Sequence, residues 1–406
     1  MFVTALRKFI LIATTLLLGY LLALSLFAYK AWSTVQSAVS FVSKVRQEPF
    51  TSDSRVRYIE LLKTSQSIIE DFRGPLFAPL RPVLPTAVRG VKIEQVQKAY
   101  DRIESILPIV PGLAGFVEPR RYLLVFQNPA ESRGTGGIIG AFAVAKLDAG
   151  ELSIERVGSN AALLSLEEIP IPMPKDYVAI YGSDPAIWQN SNISPNFPDG
   201  AKIYLALWKN QFQEELDGVM TFDPIVLKHV LRALGPITVS GQVISADNVV
   251  AETLSTAYQR FETDNNARKQ FLVSIIDATA KKLLAPNQDL VALAEELITP
   301  LMEHRILVYS TREVEAQTLE RSSLSGTLSK DPSSEFRLVL INTAGNKMDY
   351  YLRRTLKLVR AECSNRKAEV IAQYSITSDV SESTDLPSYV KGRLDLDLVD
   401  VFKNSN

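Results

Sequence analysis

Between Phe9 and Ala28 the chain reads FILIATTLLLGYLLALSLFA, a run without a single charged side chain. At 1.5 Å of rise per residue, about 20 helical residues span a hydrocarbon core of ~30 Å. A buried core helix has no need of so long an unbroken run. Arg7 and Lys8 stand directly before it. A cleaved signal peptide also opens on basic residues, but its apolar core is shorter, and no small-x-small cleavage pattern follows this one. The run is therefore read as a single-pass anchor in the cell membrane. Lys30, Lys44 and Arg46 follow it, so the positive-inside bias is weak. The short basic tail and the long remainder favour a cytoplasmic N-terminus and an extracytoplasmic C-terminal portion.

Composition narrows what that portion can be. The 406 residues carry a net charge of -1, which argues against a general nucleic-acid binder, since that role needs a basic excess. Cys363 is the single cysteine, so no internal disulfide is available and the fold stands on burial. His229 and His304 are the two histidines, too few for a His-rich zinc site.

The punctuation of the chain gives its organisation. Residues 1–8 form the cytoplasmic tail and 9–28 the transmembrane helix. Residues 29–119 read as a helical stalk and linker, with helical spacing from Arg55 to Phe72 and again from Ile93 to Leu107, broken by prolines between Gly74 and Gly90. Residues 120–330 read as an α/β domain: a mixed sheet flanked by helices. Its expected strands are RYLLVFQN, the hairpin IIGAFAVAKL–ELSIERVG, Tyr177–Tyr181, LDGVMTFD and RILVYS. Its expected helices are Pro198–Phe212, PIVLKHVLRAL with its opening proline, Ala246–Tyr258, Asn266–Ala285 and Asp289–Met302. Residues 331–406 read as a small β-rich region of three or four strands, FRLVLIN, DYYLRRTLKLVRA and KAEVIAQYSIT among them, with no visible closing strand.

Three stretches carry candidate chemistry. In QNPAESRGTGGIIG, Gly134, Gly136, Gly137 and Gly140 lie beside Arg133. Backbone N–H groups in a glycine loop can cradle a phosphate, and a guanidinium adds a bidentate donor. The same glycines also suit a tight turn between adjacent strands. The spacing fits neither a dinucleotide fingerprint nor a P-loop. In YQRFETDNNARKQF, Arg260, Asp264 and Arg268 lie near a helix start, which is an anion site or an ordinary solvated cap. The loop SDPAIWQNSNISPNFPDG, containing Asn192, is long enough to be a wall or lid, or a plain surface connection.

RYLLVFQNPAESRGTGGIIGAFAV, NISPNFPDGA, LDGVMTFDPIVLKHVLRALGPITV and GNKMDYYLRR, in that order from Arg120 to Val390, resemble a bacterial family known as domain of unknown function 4012. Members of that family are typically membrane-anchored. More distantly the chain resembles the LytR-CpsA-Psr family, enzymes that move glycopolymers from a polyprenyl-pyrophosphate carrier onto peptidoglycan. That resemblance implies a pyrophosphate held by Arg133, Arg260 and Arg268 with help from Gly134, Thr135, Gly136 and Gly137, and a wall containing Asn160, Asn192 and Asp264. It implies glycopolymer phosphotransfer for a catalytic member. The chain departs from the pattern where that family has Arg-x-Asp-Thr, since Arg133-Gly134-Thr135-Gly136 stands there, and where a second aspartate follows the next strand, since Ser159-Asn160 stands there. The usual Mg²⁺ carboxylates are thus missing from those positions, so no cofactor is expected, with Mg²⁺ the disfavoured alternative. The expected partner is a membrane lipid or lipid-linked glycan. The rival expectation is a non-catalytic envelope scaffold or assembly factor whose β-rich region binds an envelope protein. A pocket wall shared by the three arginines favours the first, and their dispersal the second.

A reporter enzyme fused after Asn406 is expected to be active only outside the cytoplasm; activity inside would refute the orientation.

Overall fold

The computed structural model describes residues 26, 27, 29–34, 36, 37, 40, 41, 44, 51–73, 104–285, 288–322, 324–329, 331, 337–364, 367–380 and 386–392. The run Phe9–Ala28 lies outside these apart from Leu26 and Phe27. Among the described residues no helix is long and apolar enough to cross a membrane. The chain forms two compact units, residues 1–120 with 147–151, and residues 121–146 with 152–406.

In the first unit, α1 (Ser52–Arg73) carries the helical spacing expected from Arg55 to Phe72. Lys30 reaches Asp71 at 2.9 Å, and the Phe41 ring stacks on Tyr58 at 6.1 Å. Tyr58 donates to the Leu107 carbonyl at 2.7 Å, and burial raises its hydroxyl to about 12. Leu107 itself lies in a 3₁₀ turn, Glu104–Ile109, which contains Pro108, and a short α2 (Val110–Leu113) follows. The earlier part of the helix expected over Ile93–Leu107 lies outside the described residues.

The second unit is built on a five-stranded mixed sheet. In chain order its strands are β1 (Arg120–Arg133), β2 (Gly136–Asp148), β3 (Glu151–Ser159), β4 (Gly218–Phe222) and, after two short strands described below, β7 (Leu307–Ser310). Their spatial order is β3-β2-β1-β4-β7. β1 and β4 are parallel, Tyr122 opposite Gly218 through Phe126 opposite Phe222, and β4 pairs antiparallel with β7. The two-residue links after β1 and β2 are hairpins, which only antiparallel neighbours allow.

Helices cover both faces. Between β3 and β4 lie α3 (Lys175–Tyr181) and α4 (Phe197–Phe212). Phe197, Ala201, Tyr204 and Trp208 of α4 recur at helical spacing, and all are buried against Leu123, Val125, Phe142, Val144 and Val219 of the sheet. Trp208 meets Phe142 edge-on at 5.4 Å, and Trp188 stacks on Tyr204 at 5.8 Å.

A second core gathers α5 (Pro224–Leu234), the hairpin β5 (Ile237–Val239) and β6 (Gln242–Ile244), α6 (Val249–Ala251), α7 (Ala257–Arg260) and α8 (Asn265–Leu284). A π-helical turn, Glu252–Thr256, joins α6 to α7. α9 (Leu290–Met302) and α10 (Glu313–Glu320) flank β7 in sequence. The tail contributes a 3₁₀ turn, Met348–Tyr351, the hairpin β8 (Leu352–Ser364) and β9 (Lys367–Ser378), and α11 (Ser388–Lys391).

Several expectations are corrected. Tyr177–Tyr181 is helix, not strand. Pro174 stands at its N-cap, the Tyr177 and Tyr181 rings meet at 4.8 Å on one face, and exposed Val178 and Ile180 only imitate strand alternation. The glycine loop is barely a loop, since β1 continues to Arg133 and β2 starts at Gly136, leaving only Gly134 and Thr135 outside strands. Residues 337–342 of FRLVLIN form no strand, and the described tail holds two strands instead of three or four. Helix α10 has no counterpart in the expectations.

One residue ties the sheet to the second core. Asp223 ends β4 and caps α5, its Oδ1 accepting from the N–H of Ile225 at 2.9 Å and of Val226 at 3.0 Å. Its Oδ2 takes Arg305, just before β7, at 2.6 Å. Losing a cap costs about 0.5–2 kcal/mol, and truncating one member of a partly buried ion pair adds to it. Asp223→Ala is therefore expected to lower stability by about 2–3 kcal/mol, read from the urea midpoint at unchanged slope. An unchanged midpoint would show that neither contact matters.

Candidate functional site

β1 ends in Ala130-Glu131-Ser132-Arg133, all buried. Glu131 and Arg133 are two apart in a strand and so share a face. The Arg133 guanidinium makes four hydrogen bonds: to Asn190 Oδ1 at 3.1 Å, to the carbonyls of Ser132 and Asn342, each at 3.0 Å, and to Glu131 Oε1 at 2.8 Å. The other Glu131 oxygen accepts from Lys347 Nζ. The three side chains are 7%, 8% and 3% exposed. The segment bearing Lys347 is held to β1 by two hydrogen bonds at Ser132: its N–H donates to the Asp349 carboxylate Oδ2 at 2.7 Å, and its carbonyl accepts from Asn342 N–H at 3.0 Å.

The cluster extends to α8. Tyr389, on α11, lies 5.8 Å from Lys347 Nζ. The Arg268 guanidinium lies 4.4 Å from the Tyr389 ring centre and 4.3 Å from that of Tyr258. Arg268 is 3% exposed and bonds Asn265, with no carboxylate ion-paired to it among the described residues. Tyr258 in turn accepts from Asn128 Nδ2 of β1 at 2.6 Å. Burial raises the Tyr258 hydroxyl. Burial pulls the Lys347 ammonium down, but Tyr258, Glu131 and Tyr389 outweigh it and hold Lys347 above its ordinary value. Burial lowers neighbouring Lys269, and the charges of Arg268 and Lys347 add to that.

Three openings meet this cluster, one of them a cleft of about 600 Å³ lined by Arg133, Gly134, Thr135, Gly136, Arg305 and Arg354 among others. A second cleft, of about 590 Å³, is lined by Glu131, Arg133, Asn190, Asn342 and Tyr389 among others. A small apolar pocket of about 50 Å³ lies between the sheet and helices α5 and α8, lined by Phe126, Ala141, Leu227, Leu254, Ile275 and Ile276. Asn128 also lines that pocket, so a single β1 side chain faces it and holds Tyr258.

The sequence-derived candidates divide. Arg133 and Arg268 come together through Glu131, Lys347 and Tyr389. Arg260 does not join them: its guanidinium is held by Glu252 at 2.9 Å and lies against Phe261 and Phe271. Asp264 caps α8, accepting from Ala267 N–H at 2.8 Å. Asn160 Nδ2 donates to the Ile139 carbonyl at 3.0 Å. Asn192 Nδ2 donates to Thr135 Oγ1 at 3.1 Å and to the Gly137 carbonyl at 3.0 Å. Each of these two asparagines keeps a buried Oδ1 without a hydrogen-bond partner among the described residues.

The glycines serve close approach. A Cβ at Gly134 would strike the backbone of Ile193 and Ser194, one at Gly136 the Gln127 amide, and one at Gly137 the backbone of Asn128. Gly140 has room, its nearest neighbour being 3.6 Å away. Sequence reasoning missed Glu131, Asn190, Asn342, Lys347 and Tyr389. Glu131 was findable, as an acid two residues before an arginine on a strand. Lys347 was not, standing 216 residues away. Among the described residues no three or more His, Cys, Asp or Glu side chains group to hold a metal ion.

This is an α/β unit with a buried, cation-rich end to its first core strand. Residues 118–258 match the family described as "Protein of unknown function (DUF4012)", a segment running from just before β1 to Tyr258. Solved structures resemble the chain weakly. TagV of Bacillus subtilis, a LytR-CpsA-Psr-family protein, is 13% identical with a TM-score of 0.28, covering 51% of this chain and 80% of its own. The protein gbs0355 of Streptococcus agalactiae is 14% identical with a TM-score of 0.32, covering 54% and 76%. The transcriptional regulator yvhJ of Bacillus subtilis is 15% identical with a TM-score of 0.27, covering 52% and 78%. Overlaps of that size carry no argument. Comparison with curated proteins finds no match.

Gly134→Ala is expected to destabilise the protein by about 1–3 kcal/mol, because backbone of the 193–194 segment must move to admit a methyl group. Gly140→Ala is expected to be neutral or to stabilise by up to about 1 kcal/mol, since alanine loses less backbone freedom than glycine in a strand and the methyl group has room. Equal midpoints for the two variants in urea would contradict the close-approach account.

Proposed function

We propose that the second unit binds an amphiphilic anion, a phosphorylated or pyrophosphorylated lipid-linked glycan, and that Phe9–Ala28 anchors the protein in the membrane from which that ligand is drawn. One observation carries this reading. Three cations, Arg133, Lys347 and Arg268, are nearly excluded from water, yet the first two share one carboxylate, Glu131, and Arg268 has no carboxylate ion-paired to it among the described residues. A buried charge without a counter-charge is costly, and such an excess is the expected state of a site that receives an anion. The apolar pocket supports the second half of the reading. Its contact with the cluster at Asn128 suits a ligand with a charged head and a hydrocarbon tail, although a chain must widen a space of about 50 Å³ to enter. The sequence resemblance to the LytR-CpsA-Psr family, whose members handle polyprenyl-pyrophosphate carriers, points to the same chemistry.

An envelope scaffold is the second reading, and the β8–β9 hairpin favours it. Opposed residues on one of its faces include Leu356, Leu358, Val370 and Ile376, exposed at 55%, 61%, 60% and 47%. Exposed apolar stripes of this kind serve partner binding.

The test uses the full-length protein in detergent micelles. Polyprenyl pyrophosphate is expected to bind and the uncharged polyprenol to bind far more weakly, both in the presence of EDTA. Arg133→Ala is expected to lose about 2–4 kcal/mol, or roughly 30- to 1000-fold in affinity. Arg260→Ala is expected to stay within about twofold. Equal binding of the two lipids would remove the anion site and leave the scaffold reading ahead. Loss of binding in EDTA would place a divalent cation in the site.

A further inference from the structure

Glu131 is an odd component of an anion site, because a carboxylate at its centre repels the ligand. Its position shows what it does. One oxygen faces Arg133 and the other Lys347, the two-oxygen bridge that a phosphate would make between the same cations. The cleft of about 590 Å³ opens onto Glu131 and Arg133, whereas Lys347 and Arg268 do not line it and lie behind, 2% and 3% exposed. Tyr389 stands at the boundary, lining the cleft on one side and touching Arg268 and Lys347 on the other. The cleft thus reaches Glu131 and Arg133 together, the side chains being 8% and 7% exposed, while the second cation of the bridge stays out of it.

From this arrangement we infer that Glu131 is a built-in stand-in for the ligand: its carboxylate occupies the anion position between Arg133 and Lys347 in the free protein and is displaced when a phosphate-bearing ligand enters. The inference rests on the anion-site reading above and adds its regulation. Glu131 holds the cations charged and ordered while the site is empty, which limits the desolvation penalty of leaving them bare. The same carboxylate competes with the ligand, so affinity is set below what the cations alone would give. Only an anion able to outbid a carboxylate, one with more charge or more oxygens, gains entry. A neutral or monoanionic lipid does not.

The test is calorimetric titration of inorganic pyrophosphate, with inorganic phosphate as control, into the full-length protein in detergent with EDTA, alongside a thermal melt. Glu131→Gln is expected to lower the melting temperature of the free protein and to tighten pyrophosphate binding by about tenfold or more. The added Lys347→Met in Glu131→Gln/Lys347→Met is expected to recover the melting temperature and cancel the gain. Should Glu131→Gln fail to fold, Glu131→Asp keeps the charge but is too short to bridge both cations, and a smaller tightening is expected. Native protein that binds pyrophosphate while the Glu131 variants bind it equally or more weakly would overturn the stand-in role and leave the anion site standing. No heat with native protein or any variant would instead overturn the anion site itself.

Discussion

The bridge of Glu131 between Arg133 and Lys347 is the contact on which the second unit depends. It joins the end of the first core strand to a segment more than two hundred residues later. Two buried cations and one buried acid cannot be placed there cheaply. Desolvation of each ion costs several kcal/mol, and mutual attraction recovers that only where geometry is good and remaining donors are satisfied. Arg133 meets both conditions, spending its guanidinium on two carbonyls, an asparagine and the acid, and the segment bearing Lys347 is tied to β1 at Ser132.

Arg268 completes the picture by a different route. It has two tyrosine rings in place of an acid, and the face of an aromatic ring offsets part of the cost of burying a guanidinium. Rings cannot neutralise charge as a carboxylate does. The cluster therefore keeps a net positive character, with three cations against the one carboxylate of Glu131. The binding reading and the stand-in role of Glu131 both descend from that imbalance.

Much of the framework was legible in the sequence, for local physical reasons. Alternation in IIGAFAVAKL and ELSIERVG, with a turn at Asp148-Ala149-Gly150, sufficed for the β2–β3 hairpin. Asp-Pro before an amphipathic run sufficed for α5. Failures came where local pattern and tertiary context disagree. Tyr177–Tyr181 alternates like a strand because two of its apolar residues face solvent, and glycine-rich 134–140 looks like a loop although Gly134 and Gly137 admit neighbouring backbone and Gly136 a side chain. Of the site, the arginines were named because guanidinium groups stand out in any sequence. Arg133 and Arg268 could not be told from Arg260 without knowing that Glu252 sits within reach of Arg260 alone. Lys347 and Tyr389 looked like ordinary residues of a β-rich tail, since only the fold brings that tail to β1.

The β8–β9 ribbon has a consequence of its own. It pairs with no other strand among the described residues, so each long edge presents open backbone donors and acceptors. Such edges invite strand-to-strand stacking between molecules, the more so with aliphatic side chains on one face. Arg353, Lys357 and Arg360 punctuate β8, and an irregularity of register between Leu358 and Arg360 interrupts the ladder. Arg353 and Arg360 are paired with Asp379 and Glu362, so what the edge presents is a row of charged pairs that a second ribbon would have to strip of water before it could stack. The ribbon thus carries, in its own charged side chains, a cost against pairing with its copies.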